Sequence, residues 1–395
     1  MAAGTEALVP SRPAAWNDPR VRAIVFQTVA LAAVIAAGIY IFDNTVENLR
    51  RQKIASGFAF LSSTAGFDVS LRLIPYTAES TYGRAFLVGL LNTLLVATIG
   101  VVIATVLGFV VGIARLSRNW LVARLAAVYI EVVRNIPLLL QLFFWYFAVL
   151  NAMPHPKQSI VLGGGFFLNI RGFFVPRPIF EPGSWLILAA AGAAVVLTAG
   201  IARWAKRRRD ATGQPFATVR VGLLILIGLP LLAAIVTGFP LSFDLPELKG
   251  FNFKGGATLL PEFMALLVGL SVYTASFIAE NVRAGVLAVS HGQTEAAFSL
   301  GLRRATTLRL VVVPQALRVI IPPLTSQYLN LTKNSSLAVA IAYPDLVSVF
   351  AGTVLNQTGQ AVEVITVTMA VYLSISLSIS LAMNLYNRRI ALVER

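Results

Sequence analysis

Cysteine is absent from all 395 residues, which rules out disulfides, thiolate nucleophiles and cysteine-ligated metal. The two histidines, His155 and His291, stand far apart in loop sequence and read as solvated side chains rather than metal ligands. No Gly-x4-Gly-Lys-Ser/Thr occurs, so Gly163-Gly164-Gly165 is no phosphate loop and any ATP is handled by another polypeptide. Charge is scarce too: Asp, Glu, Lys and Arg make up 12% of the chain, whereas hydrophobic residues reach 57%. With a mean hydropathy of +0.77, that balance leaves more apolar surface than a soluble core can absorb and defines a polytopic membrane protein. The apolar runs hold no clear mid-membrane Asp or Glu, the carboxylates a secondary amino-acid transporter uses to couple to ions. They also lack a nucleophile, metal cluster or acid pair for membrane-embedded catalysis, so an enzyme is not expected.

What is present is apolar length. Runs at 23–42, 86–114, 131–150, 185–202, 219–238, 262–282, 320–342 and 362–386 are each of the length that crosses about 30 Å of hydrocarbon, and they predict an all-α protein of eight transmembrane helices. The first run follows Arg12, Arg20 and Arg22, exceeds a signal-peptide core and lacks a cleavage pattern, so it reads as a retained span. With the N-terminus inside, 21 of the 32 Lys and Arg fall in 115–124, 203–220, 283–318, the termini and Arg134. The net charge of +15 is therefore topological, with both termini cytoplasmic, and nucleic-acid binding is not indicated. The outer segment 43–85 goes against this trend with Arg50, Arg51, Lys53, Arg72 and Arg84, largely balanced by Asp43, Glu47, Asp68 and Glu79. Its apolar part, Ile54 to Phe67, is too short to cross and is expected to lie against the membrane.

A polar segment between the sixth and seventh runs carries the most specific pattern. Ser290 with Gln293 fits a capping box, and Gly301 suits the left-handed residue that closes a helix of about three turns. Ala296 and Ala297 leave little side chain in the way of an approaching backbone, and Arg303, Arg304 and Arg309 place the segment on the inner face. Glu295-Ala296-Ala297, three residues, Gly301, nine residues, Val311, one residue, Val313 and Pro314 together resemble the EAA loop of ABC-importer permeases. That resemblance implies that Gln293, Glu295, Ala296, Ala297, Gly301, Arg303 and Pro314 couple the membrane helices to a separate ATPase, which binds the ATP and Mg.

Other stretches resemble the polar amino-acid importers among these permeases: Gly89-Leu-Leu-Asn92-Thr93, Tyr129-Ile-Glu131-Val-Val-Arg134-Asn-Ile-Pro137-Leu-Leu-Leu-Gln141, and Glu280-Asn-Val-Arg283. The overall layout is most similar to the larger permease of the general L-amino-acid systems of Gram-negative bacteria. It implies a multi-pass inner-membrane subunit paired with a second, homologous but different permease. Two ATPases and a periplasmic amino-acid-binding protein complete such a system, with membrane lipid around it and no nucleic acid.

Four segments follow: 1–85, an N-terminal tail, first span and outer loop; 86–150, the first part of the permease core; 151–261, an insertion with two spans; and 262–395, the rest of the core with the coupling loop. Glu131 with Arg134, and Glu280 with Arg283, are spaced for i,i+3 ion pairs that suit either a cytoplasmic gate or plain interfacial bridges. Asn92, Thr93, Gln141, Lys333, Asn334 and Ser335 are candidates for the solute path. Asn92 and Thr93 suit interhelical hydrogen bonding equally, and Lys333 suits snorkelling or a carbonyl partner.

Overall fold

The computed structural model describes residues 18–51 and 56–390. Its helices follow the apolar runs. The first, α1 (Pro19–Arg51), has none of its apolar window buried, whereas α2 (Tyr82–Arg115) begins at Thr81, whose hydroxyl accepts from the Arg84 amide at 3.3 Å, and packs deep in the core. Between them, residues 56–81 pack in part against the protein. Phe60, Ala65, Val69 and Tyr76 are buried against the protein, and the Gly57 amide donates to Glu363 at 2.6 Å. Ile54 and Ala55, the start of that apolar stretch, lie outside the described residues.

The third run is broken at Pro137, where a proline after Ile136 favours a kink or a new helix start. It begins earlier than residue 131, as α3 (Trp120–Asn135), with the Asn119 side chain accepting from the Leu121 and Val122 amides. It then breaks and turns by 107° into α4 (Leu138–Phe143), continued by a wider π-helical stretch to Leu150. The cause is local: Pro137 has no N–H to offer, and it forces Ile136 into an extended conformation at φ −97°, ψ 127°. Among the described residues seven helices are thus long and apolar enough to cross, and eight if this bent pair counts as one.

The region beyond 150 departs most from the sequence reading, which made its non-spanning parts loop. Short strands β1 (Ile160–Val161), β2 (Phe167–Asn169) and β3 (Gly172–Val175) form an antiparallel meander. β4 (Arg177–Phe180) precedes the long helices α5 (Ser184–Thr212) and α6 (Thr218–Val236), and pairs with β5 (Leu241–Asp244) on the far side of them. β6 (Glu247–Lys249) pairs with β7 (Asn252–Lys254), and β8 (Ala257–Leu259) closes back on β3. Phe253 packs between Phe167 and Phe174, with ring centroids at 4.6 and 4.7 Å, so this small sheet has an aromatic core of its own.

α7 (Pro261–Leu287) is the centre of the fold, with 61% of its apolar window buried against 6% for α5 and 11% for α6. α8 (His291–Ser299) and the single turn α9 (Arg304–Thr307) follow it. A π-helical stretch then leads into α10 (Val313–Asn334). This helix begins ahead of the apolar run at 320–342, continues through Pro322 and Pro323 and tightens to a 3-10 helix over Ser335–Ile341. Both prolines are exposed, so their rings lie on the outside of the bundle. Ala342 reverses the chain at φ +58°; a wide helical stretch, Val347–Val354, and the turn α11 (Leu355–Thr358) lead to α12 (Ala361–Ile390).

The α2–α7 contact holds these elements together. An added Cβ on Gly108 would lie 2.5 Å from Ile278 Cγ2, and one on Gly112 would lie 2.7 Å from the Ala279 carbonyl oxygen. Small residues at this spacing let two backbones approach as they must in lipid. Gly108→Ala is therefore expected to cost about 1–3 kcal/mol through overpacking. Gly38→Ala on α1, where nothing lies within 4 Å, should stay within about 0.5 kcal/mol of the parent. Melting temperatures of the two detergent-solubilised variants decide the matter, and equal values would refute the close-approach account.

Candidate coupling helix and transport cleft

α8 is a short, mostly exposed knob with Ala297 as its one buried residue. Its start is not the expected capping box: the Ser290 side chain makes no cap bond, and its carbonyl accepts from the Gln293 amide at 3.1 Å. Gln293 instead ties the knob to the foot of α10, its Oε1 accepting from Gln315 Nε2 at 3.2 Å. The close of the helix is as expected. Gly301 sits at φ +74°, its N–H donating to Phe298 O at 2.9 Å while Leu302 N–H donates to Ala297 O at 3.2 Å, the pair of bonds that ends a helix on a left-handed residue.

The two alanines do not share a face. Ala297 is buried toward the permease, and Ala296 points outward beside Glu295, whose carboxylate lies 2.9 Å from His291 Nδ1. The sequence reading missed Phe298 and Leu300, which are 51% and 80% exposed and place apolar surface on a segment beyond the membrane spans. Their signal was present, since two large apolar residues beside a predicted helix end need a partner. Arg303 opens α9, and Pro314 lies exposed in the first turn of α10.

The two predicted ion pairs have different outcomes. Glu280 and Arg283 form theirs on α7, with Arg283 Nη2 2.6 Å from Glu280 Oε1 and Arg283 Nε 3.0 Å from Oε2. Glu131 and Arg134 do not pair. Arg134 stacks over the Phe277 ring at 5.0 Å, bridging α3 to α7 one turn from Glu280, and Glu131 is left exposed. An aromatic face that keeps a guanidinium close outcompetes a solvated i,i+3 carboxylate here.

Three of the path candidates serve the backbone instead. Gln141 Nε2 donates to Val133 O at 2.8 Å and Ile136 O at 2.9 Å, satisfying carbonyls freed by the break at Pro137. Asn92, fully buried, donates to Leu71 O and Pro344 O, and Thr93 accepts from the Leu346 amide at 2.9 Å. These bonds fasten the turn at 342–346 against α2. The same turn holds a residue the sequence reading passed over: Asp345, fully buried, accepts from the Ser348 amide at 2.8 Å and the Tyr372 hydroxyl at 3.3 Å. An acid three residues before a helical amide is an N-cap signature, and Pro344-Asp345 ahead of an apolar run was its readable trace.

Lys333 is different. It is exposed at the C-terminal end of α10 and, among the described residues, forms no ion pair. It lines a cleft of about 390 Å³ with Ser336, Val347, Thr368, Tyr372 and Ser376. Asn334 and Ser335 are not part of that lining; Ser335 is buried and donates to Thr332 O at 2.7 Å.

Residues 100–392 match the family described as binding-protein-dependent transport system inner membrane component, and the chain belongs to that family. It is 56% identical to the putative amino-acid ABC transporter permease protein YhdX of Escherichia coli (strain K12), over 96% of this chain and 97% of that one. It is 53% identical to the general L-amino acid transport system permease protein AapQ of Rhizobium johnstonii, over 96% and 95% of the two chains. Identity to the glutamate/glutamine/aspartate/asparagine transport system permease protein BztB of Rhodobacter capsulatus is 42%, over 96% of each.

Gln141→Leu should leave the Val133 and Ile136 carbonyls unpaired at a loss of about 1–3 kcal/mol. Gln141→Glu, which accepts but does not donate there when ionised, should be no better. Thermal denaturation of both variants is the check, and parental stability of Gln141→Leu would show that the bend at Pro137 stands without the side chain.

Proposed function

We propose that this chain is one permease of an ATP-driven importer of polar L-amino acids, with α8 as its contact to the ATPase. The observation that supports this most directly is the exposed Phe298, Leu300 and Glu295 on a helix tied to α10 through Gln293 and Gln315. A helix held to one spanning helix and bare on its other side moves that spanning helix when a partner pulls it. The substrate class follows the permease names of its relatives, which are amino-acid systems at 42% to 56% identity. A homologous but different second permease, two ATPases holding ATP and Mg, and a periplasmic amino-acid-binding protein complete the assembly. Residues 86–150 and 262–395 form the core and 151–261 the insertion, with both termini and the α5–α6 turn in the cytoplasm. The coupling set is Gln293, Glu295, Ala296, Ala297, Gly301, Arg303 and Pro314. Glu280 and Arg283, with Arg134 stacked beside them, form the inner gate.

Lys333 binds the substrate carboxylate in this reading. An ammonium at bilayer depth costs about 2.5–3.5 kcal/mol on insertion scales, so retaining one in a cleft calls for water or a counter-charge, and an amino acid brings the latter. An ATP-driven system needs no ion-coupling carboxylate, which sets it apart from a secondary transporter.

Glu295→Lys should lower ATP-dependent uptake in vesicles about tenfold or more while the protein still inserts, because a like charge in a docked interface costs several kcal/mol. Unchanged uptake would remove α8 from the coupling role. Lys333→Met should reduce transport by a similar factor, about tenfold, with membrane abundance and ATPase assembly intact. Parental transport, or loss traced to failed assembly, would take Lys333 off the path.

A further inference from the structure

The α5–α6 hairpin carries chemistry that the transport reading does not use. At its turn a cavity of about 160 Å³ is lined by Ala205, Lys206, Arg209, Pro215, Phe216 and Thr218. Lys206 and Arg209 are three residues apart, so both cations lie on the α5 face that closes the cavity. Thr218 is the first residue of α6, so the positive end of that helix lies at the same place, although the Thr218 amide itself donates to Phe216 O at 2.7 Å. Arg203, Arg207, Arg208 and Arg220 surround this point, and Asp210 is the lone acid in 203–220. Among the described residues none of these cations is in an ion pair. Trp204 packs edge-on against Phe216 at 5.2 Å with Arg208 over its ring at 5.4 Å, an amphipathic cluster of the kind that sits at headgroup depth. Directly beyond the cavity, Val219 and Leu223 on α6 are 75% and 53% exposed.

We propose that this cavity binds the phosphate of an anionic membrane phospholipid, whose acyl chains lie along the bare apolar faces of α5 and α6. Two cations and a helix start meet the phosphate, and the apolar surface continuing into the bilayer selects a lipid over a soluble anion. The ATPase is the less suited occupant, because these apolar faces run along the span and not out from it. The proposal rests on reading α5 and α6 as spans whose turn lies at the membrane surface.

The test uses the full chain with its co-expressed partners in nanodiscs of phosphatidylcholine and phosphatidylglycerol, each lipid supplied in turn with a diazirine headgroup. The phosphatidylglycerol probe should label peptides spanning 203–220 several-fold more than the phosphatidylcholine probe. Lys206→Gln/Arg209→Gln should lower that labelling by roughly fivefold for each charge removed. The charge-matched Arg203→Gln/Arg207→Gln, whose side chains do not line the cavity, should lower it clearly less. Equal labelling by the two probes, equal loss in the control variant, or displacement by millimolar inorganic phosphate would overturn the proposal. Because the chain has no cysteine, Ala211→Cys gives a single thiol for an impermeant maleimide in right-side-out and inside-out vesicles. Reaction from the outside would refute the cytoplasmic placement of the turn, independently of the lipid result.

Discussion

In a bilayer, apolar side chains gain nothing from leaving water, so two helices stay together only where their backbones come close enough for dense van der Waals contact. The approach of α2 to α7 at Gly108 and Gly112 meets that condition, and most other placements follow from it. α7 carries two further glycines at contacts, Gly269 against Leu142 of α4 and Gly285 against Ile320 of α10. One helix thereby seats three neighbours through positions where a side chain would clash. The Glu280–Arg283 pair and Phe277 occupy the end of this same helix, next to the loop that leads into α8, so anything that displaces α8 acts first on the part of the bundle where the charges are.

A second constraint concerns broken backbone. Pro137, the reversal at Ala342 and the segment at 347–354 all interrupt regular helix, and each interruption frees carbonyls or amides that lipid leaves unsatisfied. Gln141, Asn92, Thr93 and Asp345 supply the missing partners. The polar side chains within the spans thus divide by job. Gln141, Asn92, Thr93 and Asp345 replace lost backbone bonds, while Lys333 carries its charge into an open cleft.

The spans were legible in the sequence because the bilayer imposes a length on every apolar run, and α2, α6, α7 and α12 begin and end near where hydropathy placed them, while α5 begins there and continues through the basic run to Thr212. The closing of α8 was legible for the same kind of reason: a left-handed residue after a helix wants glycine, and Gly301 is there. What escaped were outcomes decided by distant partners. Whether Pro322 and Pro323 begin a helix or lie within one depends on what surrounds them, and Arg134 preferred a ring 143 residues away to the acid three residues before it. The strands of the insertion were too short to show a period and are held by Phe253, which arrives from beyond two intervening helices.

Val175 pairs with Ala257 as β3 meets β8. Opposed residues of antiparallel strands lie about 5 Å apart, so everything from 176 to 256 leaves and rejoins the chain through a doorway no wider than one strand spacing. A segment hung on so narrow a neck adds no constraint to the path of the chain on either side, and its length, charge and number of helices are free to vary without re-threading the bundle.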